Sequence, residues 1–311
     1  MSRLCVFMLG KFQVEFEGKV LPGFEANKVQ ELFSILLLYP ERPHHRETLA
    51  SLLWPNNSTA QSKRYLSRVI WQLQTAVKEA TEEIADKLLL VKPDWIQLNL
   101  DASLWADVVV FEEIYSSVIG ASGTRLDNEK AVKLQDGVKI YQDDLLQGCY
   151  EDWCLFERER FQLMLLNSLD KLMLYCETAG AYEAGLAYGT EILRYDRARE
   201  CTHRRLMRLH LLAGDRTGAL RQYERCATVL LEDLDIEPSE NTQKLYQIVR
   251  ANHLNKSDNN ELVPKNSLKK SKEFSSFTVI LSRLDRLQVT LNTVQKQIQI
   301  ELDQMRSFLQ D

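Results

Sequence analysis

Gln61, Arg64, Arg68 and Trp71 follow one another at intervals of three or four residues, so on a helix they share one face. A guanidinium presents a planar fork of donors that fits the edge of a guanine base or a phosphate. Between Glu47 and Glu79 there is no acidic side chain, while Lys63, Arg64, Arg68 and Lys78 all lie inside that gap. The candidate contact set for a nucleic acid is Ser58, Gln61, Lys63, Arg64, Arg68, Trp71, Gln72 and Lys92. Arg64, Arg68 and Gln61 would read or position on a major groove, and Ser58, Lys63 and Lys92 would hold phosphates. Solvated charges on any surface helix have the same spacing, which alone does not separate the two readings.

Other chemistry finds no support. The six cysteines are scattered, and the close pair Cys149 and Cys154 has no second pair or neighbouring histidine to complete a metal site, so free thiols are expected. His44 and His45 adjoin a turn with no third ligand in range. Glu151, Asp152, Glu157 and Glu159 flank Trp153 and Phe156 in the manner of a solvated helix face rather than a catalytic carboxylate pair. Neither a Gly-rich phosphate loop nor a nucleophile elbow is present. No catalytic residue, metal or cofactor is expected.

The elements that would position the arginines are legible. Arg3 to Leu9 and Lys11 to Glu17 alternate in polarity and are punctuated by Gly10 and Gly18, as antiparallel strands do. Asn27 is placed to cap a helix carrying Val29, Leu32, Phe33, Leu36 and Leu37. A second helix from Arg46 buries Leu49, Leu52 and Leu53 and stops where Trp54 precedes Pro55. A third runs from Thr59 to Ala80, with Leu66, Val69, Ile70, Leu73 and Val77 as its core stripe and the arginines opposite. Two strand-like runs then flank Lys92, Pro93 and Asp94, a hairpin by its turn chemistry.

With 311 residues, 45% hydrophobic and 27% charged, the chain is long enough for two domains and an appendage. No window approaches the roughly 20 apolar residues of a membrane span, so a cytoplasmic protein with no membrane partner is expected. The net charge of −5 argues against general coating of nucleic acid, although residues 1–100 are close to balanced. From residue 101 to 251 the pattern is helical. Ala179, Gly180, Leu186 and Tyr195 are followed at the 34-residue tetratricopeptide period by Ala213, Gly214, Leu220 and Val229. Such repeats leave a concave surface suited to protein contacts. Residues 252–276 have linker composition, and Ile280, Leu284, Leu287, Leu291, Val294 and Ile298 continue in heptads over 277–311. The heptads are expected to self-associate; an amphipathic helix packed back on the repeats has the same pattern.

The segment HHRETLASLLWPN followed by SKRYLSRVIWQLQTAV resembles the DNA-binding half of the antibiotic-regulatory activator family, through Arg46, Glu47, Leu49, Leu52, Leu53, Trp54 and Pro55. YQDDLLQGCYEDWCLFERER and AGDRTGALRQYE are similar to that family's bacterial transcriptional activator domain, through Asp144, Leu145, Leu146, Asp152, Trp153, Glu157 and Arg160, then Gly214, Asp215, Arg216, Ala219, Leu220, Tyr223 and Glu224. Glu237, Pro238, Thr242, Leu245 and Tyr246 close the pattern, so the resemblance covers residues 1–251. It implies an OmpR-like winged helix, double-stranded DNA as ligand, contact with RNA polymerase subunits, and activation. Relatives carry Asn in place of Arg64, a small residue in place of Trp71 and arginines in place of Gln72, Gln74 and Thr75. A weaker phosphate grip is therefore expected here, with dimerisation supplying affinity. Trp71 would contact a thymine methyl or sugar, or dock on the second domain, the latter being favoured.

The expected fold is mainly α: an N-terminal winged helix-turn-helix (α+β, 1–100), a tetratricopeptide-like helical domain (101–251), a linker (252–276) and a coiled-coil helix (277–311). The expected function is a sequence-specific transcription regulator acting as a homodimer or higher oligomer. The alternative from another class is an adaptor that does not bind DNA and uses the repeats and coiled coil as a scaffold.

Overall fold

The computed structural model describes residues 3–251, so the linker and the heptad positions Ile280, Leu284, Leu287, Leu291, Val294 and Ile298 lie outside the described residues. Strands β1 (Leu4–Phe7), β2 (Gln13–Phe16) and β3 (Lys19–Val20) form an antiparallel meander with Val6 opposite Val14. Its second turn places Glu17 and Gly18 at φ 52° and 75°, the left-handed pair that a two-residue hairpin with right-twisted strands requires.

Three helices pack on this sheet. The first, α1 (Asn27–Leu38), is buried on nearly every side, as its run of Leu, Phe and Ile demands. The cap expected at Asn27 is not found: Ala26 is the N-cap, its carbonyl accepting from the backbone amides of Val29 and Gln30, Asn27 is the first helical residue, and the side-chain amide of Gln30 donates to the Phe24 carbonyl at 2.6 Å. In α2 (Arg46–Leu53) Leu49 and Leu53 are buried, but Leu52 is 40% exposed, contrary to expectation. Eight residues present a narrow stripe, and Leu52 falls beside it. The third helix, α3 (Thr59–Lys78), buries the whole predicted stripe of Leu66, Val69, Ile70, Leu73 and Val77. After it comes a short α4 (Glu82–Leu88) that the pattern did not announce. A second sheet follows, in which β5 (Leu89–Val91) and β6 (Trp95–Leu98) form the expected hairpin and β4 (His44–His45) adds to β6.

The chain then returns to the first sheet. Strand β7 (Leu104–Ala106) pairs in parallel with β1, Leu4 opposite Leu104, giving the order β3-β2-β1-β7. The helical part comprises α5 (Asp107–Val118), α6 (Asn128–Ile140), the 28-residue α7 (Asp152–Ala179), α8 (Tyr182–Tyr195), α9 (Glu200–Leu212), α10 (Arg216–Leu234) and α11 (Glu240–Ala251). The repeat seen in the sequence marks its corners: Gly180 and Gly214 follow α7 and α9 at φ 74° and 78°. Tight packing between the repeats rests on Gly189 of α8, where an added Cβ would lie 2.5 Å from Leu206 and 2.7 Å from Met173.

Backbone hydrogen bonds staple the two parts together. Gly10 N–H donates to the Asp144 carbonyl, Leu146 N–H to Met8 and Gln147 N–H to Gly10, at 2.8–3.1 Å. Asp107, only 2% exposed, accepts from the amides of Met8 and Leu9 at 2.7 and 2.8 Å and from Val108. Arg158 ties down the intervening loop by donating to the carbonyls of Leu145, Leu146 and Cys149, each at 2.9 Å.

One expectation about the acidic run is overturned here. Glu157 does not lie on a solvated face: it is 3% exposed and accepts from the hydroxyl of Tyr39 at the end of α1 and from Arg160 at 2.6 Å, while Arg160 also reaches Glu112 at 2.5 Å. Glu151 is half-buried and pairs with Lys28 at 3.0 Å, leaving Asp152 and Glu159 exposed. The carboxylates of a long helix divide because one of its faces meets α1 and α5.

Candidate nucleic-acid interface

The outer face of α3 carries the predicted contacts, and Gln61, Lys63, Arg64, Arg68 and Trp71 are all exposed, with Gln72 half-buried beside them. Behind them Leu66 and Leu73 have no exposed surface, so the helix is held on a dry core. Arg64 and Arg68 have no hydrogen-bond or ion-pair partner among the described residues. Gln61 donates to the hydroxyl of Tyr65 at 3.2 Å, one turn along the same face. Ser58 is the N-cap of α3; its carbonyl accepts from Gln61 and Ser62, and its side chain makes no cap bond. The amides of the first turn thus point outward with an exposed hydroxyl beside them, an arrangement that favours anions.

Lys63 departs from the role expected of it. Its ammonium pairs with Glu47 of α2, whose carboxyl is held below the usual range chiefly by that hydrogen bond. The charge available to a phosphate at this point is correspondingly smaller. Trp71 is 64% exposed, so docking on the second domain does not occur. The helical part is met instead by Tyr39 at the end of α1 and by Met8 and Gly10 after β1.

Lys92 sits exposed at the hairpin tip, and the fold brings it to α3 through a residue that the sequence reading did not assign to the interface. Arg46, the first residue of α2, donates to Ser67 Oγ of α3 at 2.9 Å and to the Lys92 carbonyl at 3.5 Å, while its own amide bonds the Asp94 carbonyl at 2.9 Å. Arg46 is thus a strut between the helix and the hairpin that also adds charge. Its place at the start of α2 was visible; its pairing with positions 46 residues away was not.

Burial lowers the pKa of His44, whose Nε2 lies 3.4 Å from the Tyr39 carbonyl, and among the described residues no group of three or more His, Cys, Asp or Glu side chains could hold a metal ion. None of the described helices is long and apolar enough to cross a membrane.

Comparison with known proteins adds to this geometry. Residues 106–250 match the model of the bacterial transcriptional activator domain. Among solved structures the chain is similar to EmbR of Mycobacterium tuberculosis, determined in complex with a low affinity phosphopeptide. That likeness has 18% identity and a TM-score of 0.67 and covers 91% of this chain and 72% of EmbR, which establishes a shared fold. A comparison with curated proteins finds no match. The chain thus carries a bacterial transcriptional activator domain over residues 106–250 and shares its fold with EmbR.

Proposed function

We propose that the N-terminal part is a winged helix that binds double-stranded DNA with α3 in the major groove, and that the protein regulates transcription as an activator. Arg64 and Arg68, with Gln61, face the bases or the phosphates at the groove edge. Ser58 and the first turn of α3 receive a phosphate, the hairpin acts as the wing with Lys92 at its tip, and Trp71 and Gln72 meet the sugar-phosphate edge. The observation that carries this reading is the pair of exposed arginines, without a partner among the described residues, on an acid-free helix face braced by Arg46. The helical repeats then offer a surface to polymerase subunits, and the heptads of 277–311 pair protomers over two half-sites.

The test is a titration of the promoter region of the protein's own gene at several salt concentrations. Arg64→Ala with Arg68→Ala is expected to flatten the salt slope by about two if both grip phosphates, or to lose about 1–3 kcal/mol of discrimination per residue if they read bases. An unchanged affinity and slope would sink the assignment of α3. A mass measurement of the full chain beside a chain ending at Ala251 tests the pairing through the heptads, and equal masses would refute it.

A further inference from the structure

One face of α9 presents Cys201, Arg204, Arg205, Arg208 and Leu212 at helical spacing. It is flanked by α7 and α11: Arg205 pairs with Asp170 of α7 at 2.9 Å, Arg199 approaches the same carboxylate at 3.9 Å, and Arg204 reaches Glu200 at 3.4 Å and Thr242 of α11 at 3.1 Å. The side chains of Arg199, Arg204 and Arg205 are only 21–24% exposed, so the cluster is sunk between helices.

Arg208 stands apart. It is partly buried, with no hydrogen bond and no ion pair within 4 Å among the described residues, whereas every other partly buried arginine there is bonded. The charges acting on it are Glu177, which attracts, and Arg204 and Arg205, which repel, and burial holds its pKa below the ordinary value. A half-desolvated cation with repelling neighbours lacks an anion.

We propose that α7, α9 and α11 form a groove for an acidic segment of a partner protein, one carboxylate of which pairs with the guanidinium of Arg208. This deepens the reading of the repeats as a protein-contact surface and is independent of DNA binding by α3. Charge complementarity selects the occupant. Asp170 and Glu200 already occupy the neighbouring arginines as single carboxylates, and together with Glu177 they repel a continuous row of phosphates. A duplex could not bring its backbone down to guanidiniums this sunken. Leu212, 50% exposed one turn beyond Arg208, suits an apolar residue next to the acid.

The experiment uses the full chain and a fluorescein-labelled peptide of alternating Glu and Leu, with a Gln-for-Glu counterpart, read by anisotropy. The Glu peptide should bind at least about tenfold more tightly than the Gln peptide, and Arg208→Met should remove that advantage while Arg208→Lys retains part of it. Arg208→Met should also melt no lower than the parent, because it removes an unpaired cation and keeps the apolar stem; a purely structural arginine would lower Tm. Promoter binding should not change, which keeps this test separate from that of α3. Equal binding of the two peptides, no binding of either, unchanged binding by Arg208→Met, a fall in its Tm, or displacement of the peptide by duplex DNA would each overturn the proposal.

Discussion

Asp107 gives a pH test of the junction between the N-terminal sheet and the helices. Its carboxyl is pushed up to about 6, first by burial, against the opposing pull of the Leu9, Met8 and Val108 amides. A folded-state value above the unfolded one means that the folded protein binds the proton more tightly, so this group stabilises the fold increasingly as pH falls through 6 towards 4 and loses that contribution as pH rises. With the unfolded value near 3.8, linkage gives about 2 kcal/mol of extra stability at about pH 4.5 relative to about pH 7.5. Asp107→Asn removes the titration and keeps an acceptor for Met8 and Leu9. Other groups also shift on folding: burial lowers the pKa of His44 and His203 and raises that of Glu31. The informative quantity is therefore the difference between parent and variant. Urea denaturation at the two pH values should show the parent gaining about 2 kcal/mol over the variant on acidification. An equal pH response in the two proteins would refute the account of Asp107 as a buried, proton-seeking carboxyl at the staple.

Glu157→Ala leaves Arg160 with Glu112 alone and removes the partner of the Tyr39 hydroxyl, whose pKa burial and then Glu157 push up to about 12, and it is expected to destabilise the chain by about 2 kcal/mol in denaturant titrations. A loss below about 1 kcal/mol, the scale of a surface pair, would show that the contact is solvated after all. Trp71→Ala should change stability by less than about 0.5 kcal/mol, because the ring is 64% exposed, while weakening DNA binding; a large drop in Tm would mean that the ring is packed.

How much was legible in the sequence follows a physical line. The stripe Leu66 to Val77 and the turn at Lys92 to Asp94 were readable because both depend on neighbours within a few residues. The exposure of Arg64 and Arg68 followed from the same periodicity. What could not be read depends on distant partners. The strut from Arg46 to Ser67 and Lys92, the capture of Lys63 by Glu47, and the burial of Glu157 under Tyr39 all join positions 16–118 residues apart. In composition Glu157 looks like Glu159; only the approach of α1 separates them. The short α4 escaped because seven residues carry too few turns to display a period.

The parallel pairing of β1 with β7 also bears on how the protein forms. Leu4 must wait for Leu104, and the carbonyls of Met8 and Gly10 wait for Leu146 and Gln147. Of the described strands β1 comes first in sequence yet is among the last to gain all its neighbours, which sets a slow, non-local closure of this sheet. It follows that a fragment cut at residue 100 would leave β1 as an open edge with Met8 and Leu9 amides unpaired. A fragment that keeps the first sheet whole therefore extends beyond residue 100, through β7 and Asp107 to Gln147.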